Sequence, residues 1–186
     1  MIKSVKKSIQ KSVKKLSRKR LLDIDHIKQI TPHLHKLKTR LEKVKNKRVG
    51  LFANKSIKKK EVIAYYLSKV YKTKNIKDMT YVVTLYNHGE EIEDLAGNIC
   101  SESLQLPTKD GITYWAYFSN EPSMGQKENC TLKFKNILEE TKKKKLKEGD
   151  FVVYPLIATS NIEKGDEIVW CYGSDYERDY KTICGK

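Results

Sequence analysis

Apolar residues fall along this chain in two textures. Over residues 2–16, Ile2, Val5, Ile9, Val13 and Leu16 recur every three or four positions among Lys and Ser, which predicts an amphipathic basic helix. Leu21, Leu22, Ile24, Ile27 and Ile30 carry the pattern onward. Thr31-Pro32 then reads as a cap with proline in the first turn, opening a second helix with Leu34, Leu37, Leu41 and Val44 on one face. That apolar stripe implies docking, and residues 34–44 are a candidate homodimer surface.

From residue 49 the texture changes to short β-branched and aromatic runs: Val49–Ala53, Glu61–Leu67, Tyr81–Tyr86, Asn98–Ser101, Trp115–Phe118, Phe151–Thr159 and Glu167–Cys171. Turn formers separate them, among them Asn87-His88-Gly89, Asp110-Gly111 and Lys164-Gly165-Asp166. Many short strands between turns predict a mainly β fold. The run Lys142–Lys145 lies in a polar stretch and reads as a solvated helix or loop. The chain therefore divides into a helical N-terminal extension (1–46), a β domain (47–180) and a short tail (181–186).

Charge sharpens that division. Residues 1–48 hold 17 Lys/Arg against 3 Asp/Glu, whereas residues 49–186 hold 21 against 20, so nearly all of the net +15 lies in the first quarter of the chain. A solvated or partner-packed helix fits the arm. So does an electrostatic grip of residues 1–20 on nucleosomal DNA, other nucleic acid or an anionic membrane, salt-sensitive and blind to sequence. Arg18-Lys19-Arg20 also suits a nuclear-import patch. No run of about 18 apolar residues is present, so no membrane span is expected, and the N-terminus lacks the apolar stretch of a secretory signal. Cys100, Cys130, Cys171 and Cys184 contain no C-x-x-C pair. They read as reduced thiols of a nuclear or cytoplasmic protein, without a zinc knuckle or a disulfide framework; Cys130 and Cys171 read as packing residues rather than nucleophiles.

Three separated blocks stand out. The first is Lys47-Arg48-Val49-Gly50-Leu51-Phe52-Ala53, followed by Val62-Ile63-Ala64-Tyr65-Tyr66. The second is Trp115-Ala116-Tyr117-Phe118-Ser119-Asn120-Glu121-Pro122, with Asn129-Cys130 after it. The third runs from Tyr154 through Lys164-Gly165-Asp166-Glu167 to Trp170-Cys171-Tyr172-Gly173-Ser174-Asp175-Tyr176. Taken singly, Tyr117, Phe118, Trp170 and Tyr172 read as core aromatics, Asn120 as a turn former and Gly50 as a bulge.

In this order the blocks resemble the SET-domain family of protein methyltransferases over about residues 47–180. The style is closest to small viral SET proteins that lack cysteine-rich flanking segments. The resemblance implies a fold of several short curved sheets with a threaded C-terminal segment. It implies methyl transfer from S-adenosylmethionine to a lysine side chain, on a basic protein tail such as that of histone H3, with no metal. By position, Tyr172 matches the tyrosine over the transfer site, and Tyr117, Tyr172 and Tyr176 the substrate channel. Gly50, Phe52, Phe118 and Asn120 match the cofactor wall, to which Arg48 and Glu121 also map.

Three positions depart from the pattern: Arg48 replaces a glycine, Glu121 a histidine and Tyr117 an arginine. The absent cysteine-rich segments leave channel closure to Tyr176, Tyr180 and Ile183. Arg48 and Glu121 also leave room for an alternative, a catalytically inactive SET-like module acting on nucleic acid or chromatin through its basic arm.

Overall fold

A computed structural model describes residues 36–44, 47–77, 81–87, 90–99, 111–133 and 146–173, and individually residues 176, 178, 180, 183 and 184. The helix expected over 2–16 and the start of the second lie outside the described residues.

Residues 39–44 are not helical as their spacing predicts. They form strand β1 (Thr39–Val44), paired antiparallel with β2 (Lys47–Ala53) in a two-stranded sheet. Leu37, Thr39 and Leu41 are all buried, a two-residue period that only a strand satisfies. Thr39 is fully buried with its hydroxyl 3.2 Å from that of Thr113. Leu37 and Leu41 join the domain's own core, so they are not available as a dimer surface.

The larger sheet contains β3 (Val62–Lys72), β4 (Val83–Asn87), β5 (Glu90–Ile99), β6 (Cys130–Leu132) and β7 (Phe151–Ala158), in the order β4-β5-β3-β7-β6 with every pairing antiparallel. The central strand β3 buries Ile63, Ala64, Tyr66, Leu67, Ser68 and Val70. Its near-continuous apolar run suits a strand covered on both faces. β5 begins well upstream of the expected Asn98, because Glu90, Glu91, Glu93 and Asp94 carry no apolar signature of a strand.

Two other expected strands take different forms. Trp115–Phe118 is not extended: Ala116–Phe118 is a 3₁₀ turn, closed by Phe118 N–H to Trp115 O at 3.0 Å and Ser119 N–H to Ala116 O at 3.1 Å. Five consecutive residues from Trp115 to Ser119 are buried. Alternating strand faces would need cover on both sides to do that; a tight turn points successive side chains into one core. Glu167–Cys171 forms no regular strand but is held by isolated bridges, Phe52 with Glu167 and Asn120 with Val169. Among the described residues no helix is long and apolar enough to cross a membrane.

Candidate active site

The bridges just described bring the three sequence blocks together. Ile168 N–H donates to Leu51 O at 2.7 Å and Trp170 N–H donates to Asn120 O at 3.0 Å. The stretch 167–170 therefore pairs with both the stretch around 50 and the stretch around 120.

Asn120 is fixed by two acceptors. Its Nδ2 donates to Val49 O at 3.1 Å and to the Glu167 carboxylate at 3.0 Å. Only the amino end of a carboxamide can satisfy a carbonyl and a carboxylate together, so the orientation of the side chain is determined. Its Oδ1 is left as an acceptor with no donor among the described residues. Glu167 is held in turn, because Asn129 donates to Glu167 O at 2.9 Å and Gln126 reaches the carboxylate at 3.4 Å.

Gly50 occupies a position where a side chain does not fit. A Cβ there would lie 2.6 Å from Val44 Cγ2, 3.0 Å from Phe52 Cε2 and 3.1 Å from Glu167 Oε1. Gly50→Ala is therefore expected to destabilise the domain by about 1–3 kcal/mol through overpacking. Displacing Glu167 would also loosen Asn120. Thermal unfolding checks the first effect, and an unchanged melting temperature would contradict it. Phe52 is half-buried beneath the Arg40 guanidinium, 5.7 Å from the ring centroid. Phe118 is buried in the core. The Arg48 side chain lies outside the described residues.

Tyr172 closes the arrangement. Its hydroxyl donates to Ser119 O at 3.0 Å, and its N–H donates to Glu121 Oε1 at 2.8 Å. Its ring is 5.2 Å from Trp170 and meets Tyr176 edge-on at 4.9 Å. Burial first, then the neighbouring Tyr180, Tyr176, Glu121 and Tyr81, push its hydroxyl well above the ordinary phenol range. It is thus a neutral O–H at physiological pH, with lone pairs still able to accept a hydrogen bond.

Tyr117 is buried against Tyr66, with ring centroids 4.2 Å apart, and lies edge-on to Tyr81 at 6.1 Å. The Tyr66 hydroxyl donates to Tyr81 O at 3.0 Å. Burial, then Tyr117, Tyr172 and Tyr81, raise the Tyr66 hydroxyl as well. The aromatic cluster thus extends the expected Tyr117, Tyr172 and Tyr176 by Tyr66 and Tyr81. Tyr66 lay at the end of the first block; Tyr81 opened an expected strand, and nothing in the sequence marked either as part of a site.

Glu121 faces the C-terminal residues. Its side chain is 1% exposed and paired with Arg178, whose Nε and Nη2 donate to its two oxygens at 2.8 and 2.7 Å. The Tyr180 hydroxyl adds a hydrogen bond at 2.9 Å. Burial pushes the carboxyl upward, but the Arg178 hydrogen bonds, the Tyr172 N–H, the Tyr180 hydroxyl and the Arg178 charge outweigh it, and the group is held below the usual carboxylate range.

Two of the cysteines differ from the reduced thiols expected. Cys171 and Cys184 form a disulfide across 13 residues, with a Cα–Cα distance of 5.4 Å. The backbone takes positive φ at Gly173, and the two cysteines meet although no short cysteine motif announces them. Glu121, Cys171 and Cys184 present ligand-type atoms within 4.8 Å of one another. The sulfurs are bonded to each other and the carboxylate is engaged by a guanidinium, which makes the group a poor cation site. Cys130 is a buried free thiol, its Sγ 3.3 Å from Val169 O; burial pushes it far above the ordinary thiol range. It is the packing residue the sequence implied.

The family model of the SET domain matches residues 48–173. The chain belongs to the SET-domain family. Among solved structures it is similar to a Plasmodium falciparum protein assigned as a histone methyltransferase, at 22% identity over 75% of this chain and 96% of the other, with a TM-score of 0.44. It is also similar to the methyltransferase domain of human PR domain-containing protein 2, at 16% identity over 89% and 96% of the two chains, with a TM-score of 0.46. The ATXR5 SET domain in complex with dimethylated histone H3 gives 20% identity over 90% and 71%, with a TM-score of 0.47. No curated protein matches the chain by sequence.

Proposed function

We propose that this chain is an S-adenosylmethionine-dependent protein-lysine N-methyltransferase whose acceptor is a basic tail, with histone H3 as the first candidate. The observation that carries this reading is the joint placement of Asn120 and Tyr172. Asn120 is held by Val49 O and Glu167, and the carbonyl of the preceding Ser119 accepts the Tyr172 hydroxyl.

The site has features that fit the donor. The Oδ1 of Asn120 is an acceptor suited to an ammonium group, and the absence of a Cβ at Gly50 lets the backbone there pack closely. Gly50, Phe52, Phe118 and Asn120 would hold the donor, with Arg48 a further candidate. When bound, S-adenosylmethionine supplies an electrophilic methyl group on a sulfonium.

The chain's own task is to present a neutral lysine amine in line with that methyl, since positioning supplies much of the rate. A lysine ammonium has an ordinary pKa near ~10.4 and cannot attack while protonated. A low-dielectric wall of tyrosines disfavours the charged form. Tyr66, Tyr81, Tyr117, Tyr172 and Tyr176 provide that wall. Tyr172, kept protonated, orients the amine by accepting from its N–H and does not act as a base.

The cationic arm supports a nucleosomal acceptor, because residues 1–20 would repel a free basic tail yet grip DNA phosphates. Incubation with labelled S-adenosylmethionine and nucleosomes tests the reading, with label expected on lysine. Label on arginine only, or on no protein, would contradict it. Deleting residues 1–20 is expected to lower activity on nucleosomes by about tenfold in moderate salt, with the difference shrinking as salt rises. Equal nucleosome activity would remove the DNA-grip role.

A further inference from the structure

Glu121 stands where the family pattern has a histidine, and its position beside Asn120 directs attention toward the cofactor. Its carboxylate faces elsewhere. Both oxygens are occupied by Arg178, Tyr180 and the N–H of Tyr172. Arg178 extends the connection: its Nη1 donates to Tyr176 O at 2.6 Å and its Nη2 to Gly173 O at 2.6 Å. Its guanidinium lies 5.4 Å from the centre of the Tyr176 ring, and that ring meets Tyr172 at 4.9 Å.

From this geometry we infer that Glu121 and Arg178 are positioning residues for the acceptor side of the site. The pair fixes Tyr172 and Tyr176 as the wall against which the incoming lysine is held. The inference rests on the reading of Tyr172 as the residue facing the acceptor.

A planar guanidinium is suited to this role. It satisfies a carboxylate in a fork while its remaining N–H groups reach two backbone carbonyls and its face covers an aromatic ring. A lysine offers a point charge and cannot make all of these contacts at once. The pair is largely removed from water, with side chains 1% and 13% exposed, so losing one partner leaves the other buried and uncompensated. The Cys171–Cys184 bond closes a loop of chain that contains Tyr172, Tyr176 and Arg178. Tyr172, Arg178 and Tyr180 are tied through Glu121 to the stretch that carries Asn120.

The test compares the wild type with Arg178→Met, Arg178→Lys and the double variant Glu121→Gln/Arg178→Met. The double variant leaves no buried unpaired charge and guards against simple misfolding. Calorimetric titration with S-adenosylmethionine is expected to give affinities within about twofold of wild type, because both carboxylate oxygens are engaged by Tyr172, Arg178 and Tyr180. KM for the protein acceptor is expected to rise about tenfold or more in Arg178→Met and in the double variant, with partial recovery in Arg178→Lys. Hydrogen exchange at the Tyr172 amide, which donates to Glu121, is expected to accelerate by about tenfold.

Cofactor affinity falling in parallel with activity, at an unchanged acceptor KM, would overturn the inference and return Glu121 to the donor site. A wild type that binds no S-adenosylmethionine would defeat the methyltransferase reading instead. The exchange measurement then decides the clamp alone, and an unaltered Tyr172 amide in both methionine variants would overturn it.

Discussion

Asn120→Ala is expected to weaken S-adenosylmethionine binding by about tenfold to a hundredfold and to reduce methyl transfer at least as much. The carboxamide does two things at once. Its Nδ2 satisfies Val49 O and the Glu167 carboxylate, and its Oδ1 is the acceptor proposed for the donor's ammonium. A hydrogen bond to a charged group contributes about 1.5–3 kcal/mol, and unsatisfied buried partners cost about 1–3 kcal/mol more. At about 1.4 kcal/mol per factor of ten, the first effect alone gives the stated range. Calorimetry of the variant measures it, with thermal unfolding to separate lost affinity from lost fold. Glu167→Gln is a useful companion, because it keeps an acceptor for Asn120 but removes the charge. It should lose much less than Asn120→Ala. Unchanged affinity in Asn120→Ala would remove this residue from the cofactor site.

Tyr172→Phe is expected to lower kcat by about a hundredfold, the scale of removing one oriented hydrogen-bonding group at a reacting centre. The ring can stay packed between Trp170 and Tyr176, so cofactor affinity should be nearly unchanged. What is lost is the hydroxyl that donates to Ser119 O and orients the amine. The pH dependence distinguishes this role from general-base catalysis. The Tyr172 hydroxyl is raised by burial first and then by its neighbours, so it remains protonated throughout the neutral and moderately alkaline range. The rate should therefore rise with pH as the substrate amine loses its proton. Tyr172→Phe should lower the whole profile without moving its midpoint. A shifted midpoint, or loss of the rising limb, would mean that Tyr172 itself exchanges the proton.

Much of this arrangement was legible because it depends on short local patterns. The strand around Gly50, the aromatic run before Asn120 and the apolar run leading to Tyr172 each carry recognisable chemistry, and their order resembles a known family. What escaped the sequence has physical causes. Leu37 and Leu41 are four residues apart, a spacing that helix and strand both allow. The deciding residue is Thr39, a polar type buried completely against Thr113, and no apolar pattern reports that. Trp115–Phe118 is a short apolar run, which periodicity alone cannot assign. The partner of Glu121 lies 57 residues downstream in a segment read as closing the channel, but without any ion pair in view. No short motif marks Cys171 and Cys184, because they pair across 13 residues through the tertiary fold.

The proposed chemistry requires residues near 50, 120 and 172 to share one ligand. The most direct measurement is a titration of isotopically labelled protein with S-adenosylmethionine, followed through backbone and carboxamide N–H signals. The account predicts that the Asn120 side-chain amide and the backbone amides of residues 49–52, 118–121 and 170–172 shift together with a single affinity. Shifts confined to other parts of the domain, or none at saturating ligand, would contradict it.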